Sequence, residues 1–483
     1  MGLEYGLASL CADRCCVVER RRHRRHDANL RRHVLPSAFV LACLLVTGSA
    51  SCANDDQCGA FHLCKAGACV VRSVLDDFRP MDDTLGTVAV FVGAALAAGG
   101  GLGGGGIFVP VLVLIVGMST KQAIPISQSI IFGGSLVNMA FNIGQKHPIV
   151  HERPLIDYSV TVMFTPMLLA GTSVGVILNV VFPTWVIIVI LLVALGYTTF
   201  RTTMKARAAW ERERRPYALQ VSMAQVSNSS LRSASQPEAD PSPELGLLLK
   251  KDLSTVGEKA AIVGIWLVVL AVQLLKSSRR GSSSLFGIAA CSSAYWAVTV
   301  SSLVVLAALT VAIGRVYAAR TERKLACGWK PRPSDIVWTS RSIYLYPLMS
   351  AVAGLLGGLV GIGGGMILGP LLIELKMPHQ VVAATSAMAV FLTASSAIVL
   401  YATLGSLIVS YAVWYFFVGL LSTLVGQLVF MFLVRKYNRT SFIVIAIAVV
   451  IGAATCMMTV SGVLSTVQQV KAGQDFFALS SPC

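Results

Sequence analysis

Two glycine blocks define the chemistry open to this chain. Gly99-Gly100-Gly101-Leu102-Gly103-Gly104-Gly105-Gly106-Ile107-Phe108-Val109-Pro110 lies in an apolar run, 85–117, that contains no Lys, Arg, Asp or Glu. Gly361-Ile362-Gly363-Gly364-Gly365-Met366-Ile367-Leu368-Gly369-Pro370 repeats it 260 positions later. Gly101, Gly103, Gly104, Gly105, Ile107 and Pro110 correspond to Gly361, Gly363, Gly364, Gly365, Ile367 and Pro370. Each Gly costs about 1 kcal/mol relative to Ala in a helix interior, so such a block breaks a helix and frees backbone N–H and C=O groups. In hydrocarbon those groups must be satisfied by protein or by a water-lined cavity. Where half-helices start at the break, their N–H groups converge at the positive end of the helix dipole. That is an anion site requiring no charged side chain. Close helix packing through small residues is the competing explanation, but it calls for Gly at helical spacing rather than in blocks.

Polar side chains follow each block. Gln128, Ser135, Asn138, Asn142 and Gln145 form one helical stripe, and Ser386, Thr393, Ser396 and Thr403 form a matching stripe shifted by 258. A polar stripe in a charge-free span either lines a solvated path or ties helices together; the adjacent glycines favour the path. The candidate anion site is therefore the N–H groups of Gly103, Gly104, Gly105, Gly363, Gly364 and Gly365, completed by Ser127, Gln128, Asn138, Thr385 and Ser386. Gly171-x3-Gly175 and Ser422-x3-Gly426 also match between the blocks and read as close helix contacts. Lys121 reads as an interfacial anchor that could also attract an anion. His147, His151 and Glu152 have metal-like helical spacing, but Pro148 argues against a helix there, so no metal or other cofactor is expected. No nucleophile triad, phosphate-binding loop or zinc-protease motif occurs, so an enzyme is not expected.

The elements that must position these residues are membrane spans. Of 483 residues, 55% are hydrophobic and 13% charged, with mean hydropathy +0.72. That composition and several span-length apolar runs indicate an all-α polytopic membrane protein. The net charge of +16 reflects basic residues beside the spans, which the positive-inside rule explains better than nucleic-acid binding does. Residues 1–50 read as a basic n-region and signal-like segment, cleaved near Ala50 or retained as an anchor. Residues 51–84 form an extracytoplasmic loop with Cys52, Cys58, Cys64 and Cys69, whose spacing suits two disulfides in any of three connectivities better than a zinc site. Residues 85–200 form a first transmembrane repeat and 342–465 a second. Between them lie a cytoplasmic disordered linker, 201–258, and a stretch, 259–341, of two connecting spans and a basic loop. Residues 466–483 form a C-terminal tail.

Charge orients the chain. With the cysteine loop outside, a single crossing by 85–117 would leave Arg201, Lys205, Arg207, Arg212, Arg214 and Arg215 outside, against the positive-inside rule. If the segment enters and returns, these residues fall inside, as do Arg315, Arg320, Arg323, Lys324, Lys330 and Arg332. The two repeats are then inverted, each with a Gly-rich broken or re-entrant segment, and their turns meet near the midplane.

The pattern resembles the sulfite exporter TauE/SafE family of membrane transporters. The resemblance rests on Gly101 to Pro110 followed by Ala123-Ile124-Pro125-Ile126-Ser127, and on Gly361 to Pro370 followed by Ala383-Ala384-Thr385-Ser386. The first block departs from the family pattern, with Ile126-Ser127 in place of Thr-Ser and bulky Phe108-Val109. The resemblance covers residues 85–200 and 342–465 and implies transport of small sulfur-containing anions such as sulfite and sulfonates. The expected partners are thus a small inorganic or organic anion and the bilayer of the plasma membrane or an endomembrane. The rival function is a non-transporting receptor or scaffold that uses the Cys-rich loop and the Ser-rich linker.

Overall fold

The computed structural model describes residues 62–65, 68–71, 80–100, 105–148, 150, 152–214, 255–276, 292–329, 331, 336–375, 377–437 and five positions between 452 and 462. The signal-like segment, Cys52, Cys58, Gly101 to Gly104, most of the linker and nearly all of the final expected span lie outside the described residues. Residues 1–70 and 71–483 form two units. In the first, β1 (His62–Lys65) and β2 (Ala68–Val71) form a two-stranded sheet, and Cys64 is disulfide-bonded.

The second unit is helical. The first broken segment is α1 (Pro80–Gly100) followed by α2 (Gly105–Leu114). Three helices come next: α3 (Thr120–Asn142), α4 (Tyr158–Val181) and α5 (Thr184–Arg214). Two connecting helices, α6 (Val256–Leu275) and α7 (Ser293–Ala326), precede the second broken segment, α8 (Ser340–Val360) and α9 (Gly365–Glu374). The last are α10 (His379–Thr403) and α11 (Val409–Tyr437). Among the described residues, eight helices are long and apolar enough to cross a membrane. The protein is an integral, multi-pass membrane protein. The helix α5 runs to Arg214, past the expected span end near 200 and into the expected linker, because 201–214 is rich in good helix formers such as Ala, Arg, Glu and Met.

Local signals set the helix ends. Pro80 opens α1 with Asp82 and Asp83 in its first turn, where Pro is tolerated and the dipole favours carboxylates. The backbone N–H of Ser119 donates to the Gln122 side chain at the start of α3, 3.2 Å. Asp157 accepts from the Val160 N–H to cap α4, 3.1 Å. α8 ends at Gly361, whose φ of +75° is a left-handed value that Gly adopts without penalty.

Each broken segment doubles back. A Cβ on Gly93 of α1 would press Ile107 at the start of α2, and one on Gly86 would overlap Val116 just beyond its end. The chain thus descends α1 and returns along α2. At the second segment Trp338, ahead of α8, and Met377, after α9, line one cleft, so both ends lie on the same face.

Packing between the two helix sets is reciprocal. The helix α4 lies against α8, and α11 lies against α1; α11 also packs on α3, α10 also packs on α4, and α3 and α10 meet each other. The α4–α8 crossing is as close as backbones permit. Cβ atoms on Gly171 and Gly175 would overlap the Ala351 and Leu355 carbonyls, and one on Gly354 would overlap that of Leu168. At the equivalent crossing, Gly426 faces the backbone of Ala95. Small residues permit this approach, and dispersion then holds helices together where lipid offers no hydrophobic drive. The connecting helices α6 and α7 pack on α4 and expose Val263, Leu267, Val300 and Val304 outward.

Gly175→Leu should wedge α4 from α8, since a backbone carbonyl cannot yield as a side-chain tip can. Overpacking of this kind costs about 1–3 kcal/mol, which a lowered midpoint of thermal unfolding in detergent will register.

Candidate functional site

The start of α2 touches the second glycine turn. A Cβ on Gly105, at the start of α2, would overlap the backbone of Ile362 in the second turn. Gly361 and Gly363 both have left-handed φ, +75° and +76°, so the second turn is a tight reversal that delivers Gly364 to the start of α9. The first described bond of that helix runs from the Leu368 N–H to the Gly364 carbonyl, 3.0 Å.

The carbonyl side of this turn is satisfied by side chains from other helices. Gln128 Nε2 of α3 donates to the Gly357 carbonyl, 2.8 Å, and Ser127 Oγ donates to that of Gly361, 2.9 Å. Tyr401 OH of α10 donates to Gly358, 2.7 Å, and Asn179 Nδ2 of α4 donates to Leu359, 2.7 Å. Three of the last four carbonyls of α8 therefore receive a side-chain donor, the region a helix C-terminus leaves short of partners, although Gly357 also accepts the Gly361 N–H, 3.1 Å. The first segment has a counterpart: Gln427 Nε2 of α11 donates to the Ala98 carbonyl, 3.2 Å. On the other side of the second turn, the N–H groups of Gly363, Gly364 and Gly365 precede the helical ladder of α9 and have no backbone acceptor among the described residues.

The expected side-chain ligands divide. Ser127 is fully buried, with its hydroxyl placed to donate to the carbonyls of Ile124 and Gly361, so it serves the turn. Gln128 spends its amide N–H on Gly357 and leaves Oε1 buried without a partner. Asn138 Oδ1 accepts from Gln427 Nε2, 2.8 Å, and ties α3 to α11. Thr385 Oγ1 accepts from the Asp157 N–H, 3.1 Å. Ser386 Oγ is buried without a partner and lies beside Gly369 on α9. Ser129 Oγ is likewise buried and unpartnered. Of the stripes, Ser135 and Thr393 bond back to their own helices, and Ser396 accepts from Gln273 Nε2 of α6, 2.8 Å. Those contacts join or bend helices. Lys121 Nζ donates to the Val180 carbonyl at the end of α4, 3.3 Å. Among the described residues no group of three or more His, Cys, Asp or Glu side chains could hold a metal ion.

Sequence reasoning passed over Tyr401, Asn179 and Gln427, although each is an isolated polar residue in an apolar span. It also passed over a cleft of about 130 Å³ where the starts of α4, α6 and α10 meet the end of α7, lined by Arg153, Asp157, Tyr158, Glu258, Tyr317 and Arg320. Glu258 Oε1 accepts from Ser159 Oγ, 2.7 Å, and from Tyr317 OH, 2.8 Å, joining α4, α6 and α7. Burial raises the Asp157 carboxyl above the usual aspartate range, and the Glu258 carboxylate adds to this, while the Val160 N–H and Arg153 pull the other way.

The chain is similar to proteins of known family. The sequence profile described as "Sulfite exporter TauE/SafE" matches residues 85–231 and 245–453. "Sulfite exporter TauE/SafE family protein 3" of Arabidopsis thaliana is 32% identical over 395 residues, 80% of either chain. Family proteins 2 and 1 of the same plant are each 27% identical, over 81% and 83% of this chain and 86% and 88% of their own length. No solved structure matches.

Two outcomes are expected. Tyr401→Phe removes the only described donor to a buried carbonyl and should cost about 1–3 kcal/mol, measured by thermal unfolding of the detergent-solubilised protein. Asp157 has a raised pKa when folded, so its contribution to stability is full at low pH and is lost as pH rises through that pKa. Stability should therefore fall with rising pH above the usual aspartate range, and Asp157→Asn, which keeps an oxygen for the Val160 N–H, should flatten that slope.

Proposed function

The chain belongs to the sulfite exporter TauE/SafE family, and from there we propose that it carries small oxyanions, sulfite or organosulfonate-like, across the membrane by alternating access around its paired glycine turns. Membership in that family supports a membrane transporter of anions rather than an enzyme. In this reading each broken segment is re-entrant and the two repeats are inverted. The clefted face, with Arg153, Lys259, Arg320 and Lys324, is the cytoplasmic one, by the positive-inside rule.

One observation carries the assignment. The carbonyls at the end of α8 are taken by Gln128, Tyr401 and Asn179, while the N–H groups of Gly363, Gly364 and Gly365 open α9. Neutralising the negative end and leaving the positive one suits an oxyanion. The sequence offers Gly103, Gly104 and Gly105 as the equivalent donors of the first block. The Ser386 hydroxyl, buried without a protein partner, donates to the bound oxyanion, with Thr385 beside it. Gln128 Oε1 accepts a hydrogen bond from a protonated oxyanion or a bridging water. Ser127 and Asn138 act on the turn and on the helix pair rather than on the ligand.

Protein-dependent release of sulfite, compared with sulfate, thiosulfate and a sulfonate, from loaded proteoliposomes tests the reading. Release of sulfite or the sulfonate in preference to sulfate and thiosulfate is expected. No release of any anion by folded protein would favour the receptor reading. Ser386→Ala should slow release several-fold while leaving stability within about 0.5 kcal/mol, because no protein hydrogen bond is lost. Gly364→Val should block release, since its branches would fill the space bounded by Leu168, Ala353 and Thr393.

A further inference from the structure

We propose that Asp157 is a proton-binding site coupled to anion transport, with Glu258 as the neighbouring charge that tunes it and Thr385 as its link to the anion site. The inference rests on the transport reading above. Its geometry is that of a carboxyl at a mouth. Asp157 sits at the cleft and caps α4 through the Val160 N–H, while its own N–H donates to Thr385 Oγ1, 3.1 Å. Thr385 adjoins Ser386, whose buried hydroxyl lacks a partner. Thr385 alone thus stands between Asp157 and the residue whose hydroxyl is assigned to the ligand.

The charges around Asp157 can be named from every element of the cleft. Its own loop and helix bring His147, Arg153 and Tyr158, and α6 brings Glu258. Lys259 on α6 lies over the Tyr158 ring, 4.8 Å from its centroid. The helix α7 brings Tyr317, Arg320 and Lys324. From the start of α10 the cleft is lined by Pro378 and Val381, both uncharged. Glu258 is held in place by Ser159 and Tyr317, so it cannot swing away from Asp157. Two carboxylates kept in one partly dry cleft favour uptake of a proton by one of them. Protonation of Asp157 removes a negative charge from the cleft, where it would repel an approaching anion. In this cycle a proton binds Asp157 as an anion enters from the cleft side, both are released on the opposite side, and a monoanion so carried moves with no net charge.

The test uses full-length protein in liposomes with the membrane potential clamped and methanesulfonate as probe, because that anion does not itself titrate near neutral pH. With one proton per anion, a one-unit pH gradient should drive about tenfold accumulation. Asp157→Asn should bring that ratio close to one, with each variant compared to its own flux without a gradient. Glu258→Gln, which keeps an oxygen for Ser159 and Tyr317, should move the midpoint of the transport–pH profile to lower pH, since a like charge is lost. Tenfold accumulation retained by Asp157→Asn, an unmoved midpoint in Glu258→Gln, or accumulation driven by a sodium gradient instead would each overturn the proposal while leaving anion transport intact. If Asp157→Asn carries nothing in either condition, the Glu258→Gln midpoint decides. Absence of flux in the unmodified protein overturns the transport reading itself.

Discussion

The structure depends on how a membrane protein satisfies backbone that is not helical. Breaking a helix among apolar residues frees carbonyls and amides that lipid cannot solvate, at a cost of several kcal/mol for each group left alone. Here the carbonyls are met from a distance. Gln128, Tyr401 and Asn179 reach α8 from three helices, and Gln427 reaches α1 from α11. The break exists only while those helices are docked, so the candidate anion site and the helix packing form a single structural problem.

That requirement explains the tight crossings. To place Asn179 on the Leu359 carbonyl, α4 must approach α8 closely, and Gly171, Gly175, Gly354 and Gly358 permit it. The same arrangement brings α11 to α1, with Gly426 against Ala95 and Gln427 on Ala98. Each broken segment is thus supported by the other set of helices. Support of this kind suits a carrier, because shifting one set against the other changes the surroundings of both turns together.

A division of labour follows among polar residues that look alike in sequence. Ser127 and Thr385 occupy corresponding positions, yet Ser127 faces a turn carbonyl while Thr385 receives the N–H of a helix cap. Gln128 and Ser386 also correspond, yet one is half spent on the protein and the other unspent. The two halves are alike in outline and unlike in their hydrogen bonds, which gives the candidate site one side rich in donors and one occupied with structure. The departure of Ile126-Ser127 from the pattern of Thr385-Ser386 lies at this asymmetry.

The sequence by itself determined the all-helical membrane class, the places where Gly and Pro interrupt the apolar runs, and the family. Those features rest on local properties: charge-free length, Gly and Pro placement, and the spacing of Gly171 with Gly175. At some helix starts a local cap or Pro marks the boundary, as with Ser119, Asp157 and Pro80. Only the tertiary structure decided which polar residue meets which carbonyl, because hydrogen bonds between Gln128 and Gly357 or Tyr401 and Gly358 span chain separations that no local pattern encodes. The same holds for the cleft. Asp157 and Glu258 stand 101 positions apart at the ends of different helices, and neither lies inside an apolar run where a charge would draw notice. Docking of α6 and α7 onto α4 brought them together, because a carboxyl that is ordinary at a helix end in water is changed once other helices close over it.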